Sequence, residues 1–199
     1  MGAFGVLSYG AHVPRRRLSR AAIIDAVGWV QPALKSYAKG ARAFAAWDED
    51  AITMAVEAAR SALSAAPVAP DALCFASTTA PFLDRLNAGV VATALDLPPK
   101  TRVFDASGSQ RAATSALIAS KTAAGSVLLA SADKRPARAA SLTEILSGDA
   151  AAAILVGEGE PIAEIIGAHS IYADLVDHYR TAGSGADYAL EERWYRDEG

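Results

Sequence analysis

Apolar and polar positions switch between two periods along most of the chain. Phe4 to Val13 is a glycine-punctuated apolar stretch closed by Pro14, which reads as a strand. Ser19 stands as an N-cap before Ala21-Ala22-Ile23-Ile24, predicting a helix that runs toward Trp29 and stops before Pro32. From Asp48 to Ala66, Ile52, Ala55, Val56, Ala59 and Leu63 recur at three- and four-residue steps. Glu49, Glu57 and Arg60 fall off that stripe, so the segment is the clearest amphipathic helix. Asp71 to Ser77 is a short apolar strand, Leu86 to Leu95 a second helical pattern, and Arg102 to Ala106 another strand. Ser107-Gly108-Ser109 then turns into an alanine-rich helical stretch, Gln110 to Ala124. Ser126 to Ala132 and Ala150 to Val156 are near-continuous apolar runs, as expected of central strands covered on both faces. Repeated strand–helix–strand units predict an α/β layer structure with mainly parallel pairing. Ile162 to Ser170 is one further strand candidate.

The character changes after about residue 160, dividing the chain into 1–160 and an extension, 161–199. Tyr172 to Gly199 interleaves Asp174, Asp177, His178, Arg180 and Asp187 with Tyr172, Tyr179, Tyr188, Trp194 and Tyr195. It is too polar for a core helix and too aromatic for a disordered tail, so it is expected to pack on something, which could lie outside this chain.

Composition acts mainly by exclusion. The 199 residues suit one compact domain or a large part of one. With 19 basic against 22 acidic side chains, the net charge of −3 lacks the basic excess of a nucleic-acid or anionic-membrane binder. No run approaches the ~18–20 uninterrupted apolar residues of a membrane span. Met1 to Gly5 lacks the basic start of a signal peptide. The expectation is a soluble cytoplasmic protein that binds neither nucleic acid nor membrane. One cysteine, Cys74, excludes an internal disulfide or a multi-cysteine metal site, and His12, His169 and His178 have no metal-ligand spacing.

The segment from Phe104 to Leu117 is the most informative. A strand turning sharply into a helix presents the first helical side chain at the positive end of a dipole, among unpaired backbone N–H groups. That geometry suits a nucleophile or a bound thioester carbonyl, and equally an ordinary strand–helix corner. The segment resembles the nucleophile turn of the thiolase superfamily, in the branch of hydroxymethylglutaryl-CoA synthases and ketoacyl synthase III enzymes. Glu49 to Arg60 resembles the long early helix of the archaeal-type synthases. Ser147-Gly148-Asp149-Ala150 through Gly157 resembles the glycine–aspartate turn and small-residue strand of the family, and Ile162 through Ser170, Asp174, Asp177 and Arg180 the stretch that follows. The resemblance implies a layered thiolase-like half-fold: a mixed, mainly parallel five-stranded sheet with a buried central helix, residues 1–160 forming the N-terminal half and 161–199 beginning or contacting the second.

Two departures stand out against that pattern. The position matching the family's catalytic cysteine is Gln110, with Ser109 one residue out of register. The position matching the synthases' general-base glutamate is Thr78, in Ala76-Ser77-Thr78-Thr79-Ala80-Pro81, and a hydroxyl cannot replace a carboxylate as base. Asp84 lies nearby, as a carboxylate that could serve as base in another geometry or as an exposed loop residue. By resemblance, glutamine at the cysteine position is found in decarboxylating loading ketosynthases, and thiolase-like retro-aldolases without the cysteine work with a small zinc-ribbon and OB-fold partner. The chemistry implied is aldol, retro-aldol or decarboxylative carbon–carbon bond formation or cleavage on a CoA or carrier-protein thioester. No acyl-enzyme and no covalently bound cofactor is expected. Gln110, Ser109 and Thr78 are the catalytic candidates, and Asp84, Arg111, Gly148, Arg15 and Arg16 the substrate-binding ones. The arginines would meet CoA phosphates if they are not a solvated face. The family's histidine and asparagine come from its second half, so a second-half thiolase-like chain is expected as partner, together with homodimerisation through the N-terminal half. The alternative is a non-catalytic structural subunit of such a complex.

Overall fold

The computed structural model describes residues 2–171, 173, 178–181 and 183–189. Its elements in chain order are β1 (Ala3–His12), β2 (Arg16–Ser19), α1 (Arg20–Val27), a 3-10 turn (Pro32–Tyr37), β3 (Ala41–Phe44), α2 (Ala51–Ser64), β4 (Ala72–Ala76), α3 (Asn87–Ala94), β5 (Arg102–Ala106), α4 (Ala112–Ser120), β6 (Val127–Asp133), α5 (Leu142–Leu146), β7 (Ala150–Gly159), β8 (Ala163–Glu164), β9 (His178–Tyr179) and β10 (Tyr188–Ala189). Asp174 and Asp177 lie outside the described residues.

The first compact unit, Met1–Arg17 with Ala43–Arg135 and Gly148–Ala168, holds a sheet of order β5-β4-β6-β7-β1-β8. β4 is parallel to β5 and β6, while β7 is antiparallel to both β6 and β1. Four of the five long strands therefore point one way, as expected of a mixed, mainly parallel sheet. The two-residue β8 adds a sixth strand beside β1, flanked by backbone bonds from the Ile162 N–H to Val6 O at 2.8 Å and from the Ile165 N–H to Phe4 O at 2.9 Å.

Alternation along the strands separates two apolar faces. On one, Leu73, Phe75, Leu128, Ala130, Ala153 and Leu155 pack with α2 and α3. On the other, Ala72, Cys74, Ala76, Val127, Leu129 and Val156 pack with Ala112 and Ala116 of α4. α2 is the buried helix, with Met54, Ala55, Ala58, Ala59 and Ala62 at 0% exposure. It begins later than the periodicity implies because Asp50 accepts the Thr53 N–H at 2.8 Å while Thr53 Oγ accepts the Asp50 N–H at 2.8 Å, a capping box that fixes the first turn. α4 buries only one side. Ser19 does precede α1, but its side chain makes no capping bond.

Small residues let α2 lie directly on the sheet. A Cβ at Gly10 of β1 would stand 2.3 Å from Ala58 O and 2.5 Å from Ala62 N of α2. Gly10→Ala is therefore expected to destabilise by ~2 kcal/mol or more through overpacking, lowering Tm by several degrees in a thermal melt. An unchanged Tm would mean that strand and helix are not in this contact.

The second unit comprises Leu18–Arg42, Pro136–Ser147 and described residues from His169 on. Ile23, Ile24, Leu34 and Ile145 form its core. The Arg20 guanidinium donates to Ile145 O at 3.1 Å, and that of Arg42 to Glu144 O at 2.7 Å. β9 and β10 pair antiparallel, with Tyr188 opposite Tyr179 and Ala189 opposite His178. Among the described residues, no helix is long and apolar enough to cross a membrane.

Candidate functional site

β4, β5 and β6 are parallel neighbours, so the loops leaving their C-terminal ends share one edge of the sheet, where α/β folds place ligands. Ala76 stands opposite both Ala106 and Ser131, and the Ser77 N–H donates to Ala106 O at 3.1 Å. This register carries residues 77–79, 107–111 and 133–135 off the same edge. Because β7 runs the other way, its start lies there too: Ala150 pairs with Asp133. The edge therefore gathers Thr78, the turn holding Ser109, Gln110 and Arg111, and Gly148.

Gly108 opens the turn at φ +85, and a Cβ there would meet nothing within 4 Å. Glycine is favoured at this position by backbone conformation, not by space. The Ser109 carbonyl accepts the Ala112 N–H at 3.0 Å, and its Oγ accepts the Arg111 N–H at 3.1 Å. These two bonds close a turn over residues that the helical pattern had claimed. Helix α4 consequently starts at Ala112, and Gln110 sits on the turn before it, not as the first helical residue. Ser109, Gln110 and Arg111 are all exposed.

A residue not singled out from the sequence organises the neighbouring loop. Asp133, at the end of β6, accepts on Oδ1 from Ser77 Oγ at 3.0 Å, Thr78 N–H at 2.8 Å, Thr78 Oγ at 3.1 Å and Thr79 Oγ at 3.0 Å. A second carboxylate, Asp105 in β5, accepts the Asn87 and Ala88 N–H groups at 2.9 and 2.7 Å and so caps α3 from a neighbouring element. Buried Asn87 donates to Phe82 O and Arg85 O, at 3.0 and 3.2 Å, and accepts the Phe82 N–H at 3.2 Å. Asn87 thereby shapes the loop on which Asp84 is exposed. A carboxylate ending an apolar strand was the only signal in the sequence for either aspartate.

Other candidates resolve individually. Asp149, 4% exposed, accepts the Ala45 N–H at 2.8 Å and donates its own N–H to Ala43 O at 3.2 Å, so the Gly148-Asp149 turn anchors the approach to α2. Arg15 and Arg16 are exposed, and neither guanidinium makes a hydrogen bond or ion pair among the described residues. His12 pairs with Glu49 at 3.0 Å. The Ala46 N–H bond foremost, then His12 and Lys134, hold the Glu49 carboxyl below the usual carboxylate range against the opposing effect of burial. Among the described residues, no group of three or more His, Cys, Asp or Glu side chains could hold a metal. Cys74 is fully buried in β4, and burial foremost, with the Asp105 charge, pushes its thiol up to about 12.

No family model matches this sequence. In sequence the chain is similar to the hydroxymethylglutaryl-CoA synthase of Pyrococcus furiosus, 31% identical over 186 residues covering 88% of this chain and 52% of that protein. The Aeropyrum pernix synthase is 30% identical, over 88% and 51% of the respective chains. Among solved structures it is similar to 3-oxoacyl-(acyl carrier protein) synthase III from Pseudomonas aeruginosa, with TM-score 0.67 and 26% identity over 79% of this chain and 51% of that one. A hydroxymethylglutaryl-CoA synthase complexed with CoA superposes with TM-score 0.78 at 19% identity, over 94% and 50%. The chain thus spans about half the length of the curated relatives it matches.

Proposed function

We propose that this chain, which has the thiolase-superfamily fold of the hydroxymethylglutaryl-CoA synthase and ketoacyl synthase III-like branch, acts on a CoA or carrier-protein thioester by making or breaking a carbon–carbon bond beside it, without an acyl-enzyme on this chain. The observation that carries the reading is the exchange at the turn. Gln110 is exposed at the turn position that, by resemblance, corresponds to the family's cysteine, and the one cysteine present, Cys74, is sealed in the sheet with its thiol pushed up to about 12. An amide cannot accept an acyl group, but its N–H can stabilise the negative charge that develops on a thioester oxygen as an enolate forms. Aldol, retro-aldol and decarboxylative steps all pass through such an enolate and need no thiol. Incubation with candidate thioesters followed by intact-mass measurement tests this, with turnover expected and no mass added to the chain. A stable acyl adduct on this chain would overturn it.

A second half-fold completes the site, supplied by a partner chain or by further sequence. What supports this is apolar surface on the α4 side of the sheet: Tyr9 at 68% exposure, Phe104 at 41% and, on α4 itself, Ile118 at 38%. In this reading the chain also pairs with a copy of itself, and a zinc-ribbon and OB-fold protein is a further candidate partner. Copurification from the native source, followed by light scattering, is expected to give a particle well above 20.5 kDa.

A further inference from the structure

We propose that the edge of the sheet opposite the Gln110 turn holds a second site, for a small zwitterion with an apolar body such as an apolar amino acid, Lys121 taking the carboxylate and Glu158 the ammonium group. A cavity of about 580 Å³ lies wholly within the first compact unit, and Lys121 and Glu158 both line it. That volume falls in the ~300–1,000 Å³ range of small-molecule sites. Asp71 and Ser126, which precede β4 and β6, also line it, whereas Thr78 and Gln110 follow the far ends of β4 and β5. Two opposite charges share this cavity without cancelling. Among the described residues, neither the Lys121 ammonium nor the Glu158 carboxylate makes a hydrogen bond or an ion pair. A ligand with one charge of each sign satisfies both, whereas an anion or a cation alone satisfies one and crowds the other. Apolar wall for the rest of the ligand comes from Phe4, which stands opposite Glu158 in the β1–β7 ladder, and from Val68, Ala69 and Ala123.

The wall is shaped before any ligand arrives. Asp71 accepts the Ser126 N–H at 2.9 Å and returns its own N–H to Ser126 O at 3.0 Å. The Ser126 bonds foremost hold the Asp71 carboxyl below the usual carboxylate range. Gly125, at φ +83, passes so close that a Cβ there would stand 2.3 Å from Asp71 Oδ2, and the Arg102 guanidinium donates to Ala124 O. Asp71 thus serves the loop that forms the wall, and Glu158 is the carboxylate left for a ligand. A cavity fixed in this way costs little ordering on binding.

The test is calorimetric titration of the protein with L-phenylalanine, with phenethylamine, which lacks the carboxylate, and with 3-phenylpropanoate, which lacks the ammonium group. L-Phenylalanine is expected to bind with a Kd of ~1 mM or tighter, and each truncated analogue ~10-fold more weakly, in keeping with one charged hydrogen bond. Lys121→Gln is expected to bring L-phenylalanine and phenethylamine within ~2-fold while the preference over 3-phenylpropanoate stays. Glu158→Gln is expected to do the reverse. Both side chains are exposed, so both variants are expected to keep the parent Tm. No binding of L-phenylalanine, equal affinities for the three compounds, or preferences unmoved by both substitutions would overturn the inference. None of these outcomes bears on thioester turnover at the Gln110 edge, on which this site does not depend.

Discussion

Replacing Gln110 by alanine is expected to lower kcat of the assembled protein about 100-fold, with KM changed little and Tm within about 1 °C. The size follows from the role: a single preorganised donor aimed at a developing oxyanion is worth roughly 10²–10³ in kcat. The split between kcat and KM follows because that charge exists only in the transition state, so ground-state binding loses little. The stability expectation follows from exposure. Gln110 stands on the turn outside both apolar clusters, and surface substitutions away from such features usually stay within about 0.5 kcal/mol. Gln110→Glu is a harsher version at similar size, since a carboxylate beside the forming enolate repels the charge that the amide would stabilise. Steady-state kinetics of the three proteins in parallel decide the matter. An unchanged kcat in Gln110→Ala would favour the other reading, in which this chain shapes a complex whose chemistry lies elsewhere.

How much of this was legible beforehand depended on the range of the interactions. Most of the long strands were readable because they are local runs of apolar residues, and α2 because its stripe repeats within one element. Thr78 and Gln110 could be named because their neighbours match a known motif. The exact start of α4 could not, since it is set by the Ser109 carbonyl and hydroxyl competing with helix for the next N–H groups. The short β2, β3 and α5 have too few residues to establish a period. Asp133 and Asp105 were missed for a different reason. Each serves groups distant in sequence, 54–56 residues away for the Asp133 side-chain partners and 17–18 for Asp105. Only strand order brings such partners together, and strand order is not written in any one window of sequence.

Cys74 provides the sharpest chemical test of the non-covalent route. Alkylation by iodoacetamide at pH 8 is expected to be at least ~10³-fold slower for the folded chain than for the chain unfolded in denaturant. Only the thiolate reacts, and a thiol pushed up from 9.0 to about 12 holds roughly 10³-fold less thiolate at pH 8. Lack of access compounds this, because Cys74 is at 0% exposure between β5 and β6. The same shift has a stability consequence with a definite sign. A thiol raised in the folded state leaves the unfolded chain to ionise first, so its contribution is intact below pH 9 and is lost as the pH rises from 9 toward 12. Native and unfolded labelling rates, read by mass spectrometry, check the first expectation, and denaturant midpoints across that alkaline window check the second. Comparable labelling rates in the two states would reopen Cys74 as an acyl acceptor. Slow native labelling together with thioester turnover would leave this chain with no thiol able to carry an acyl group, and would put the chemistry on the Gln110 turn or on the second half-fold proposed to complete the site.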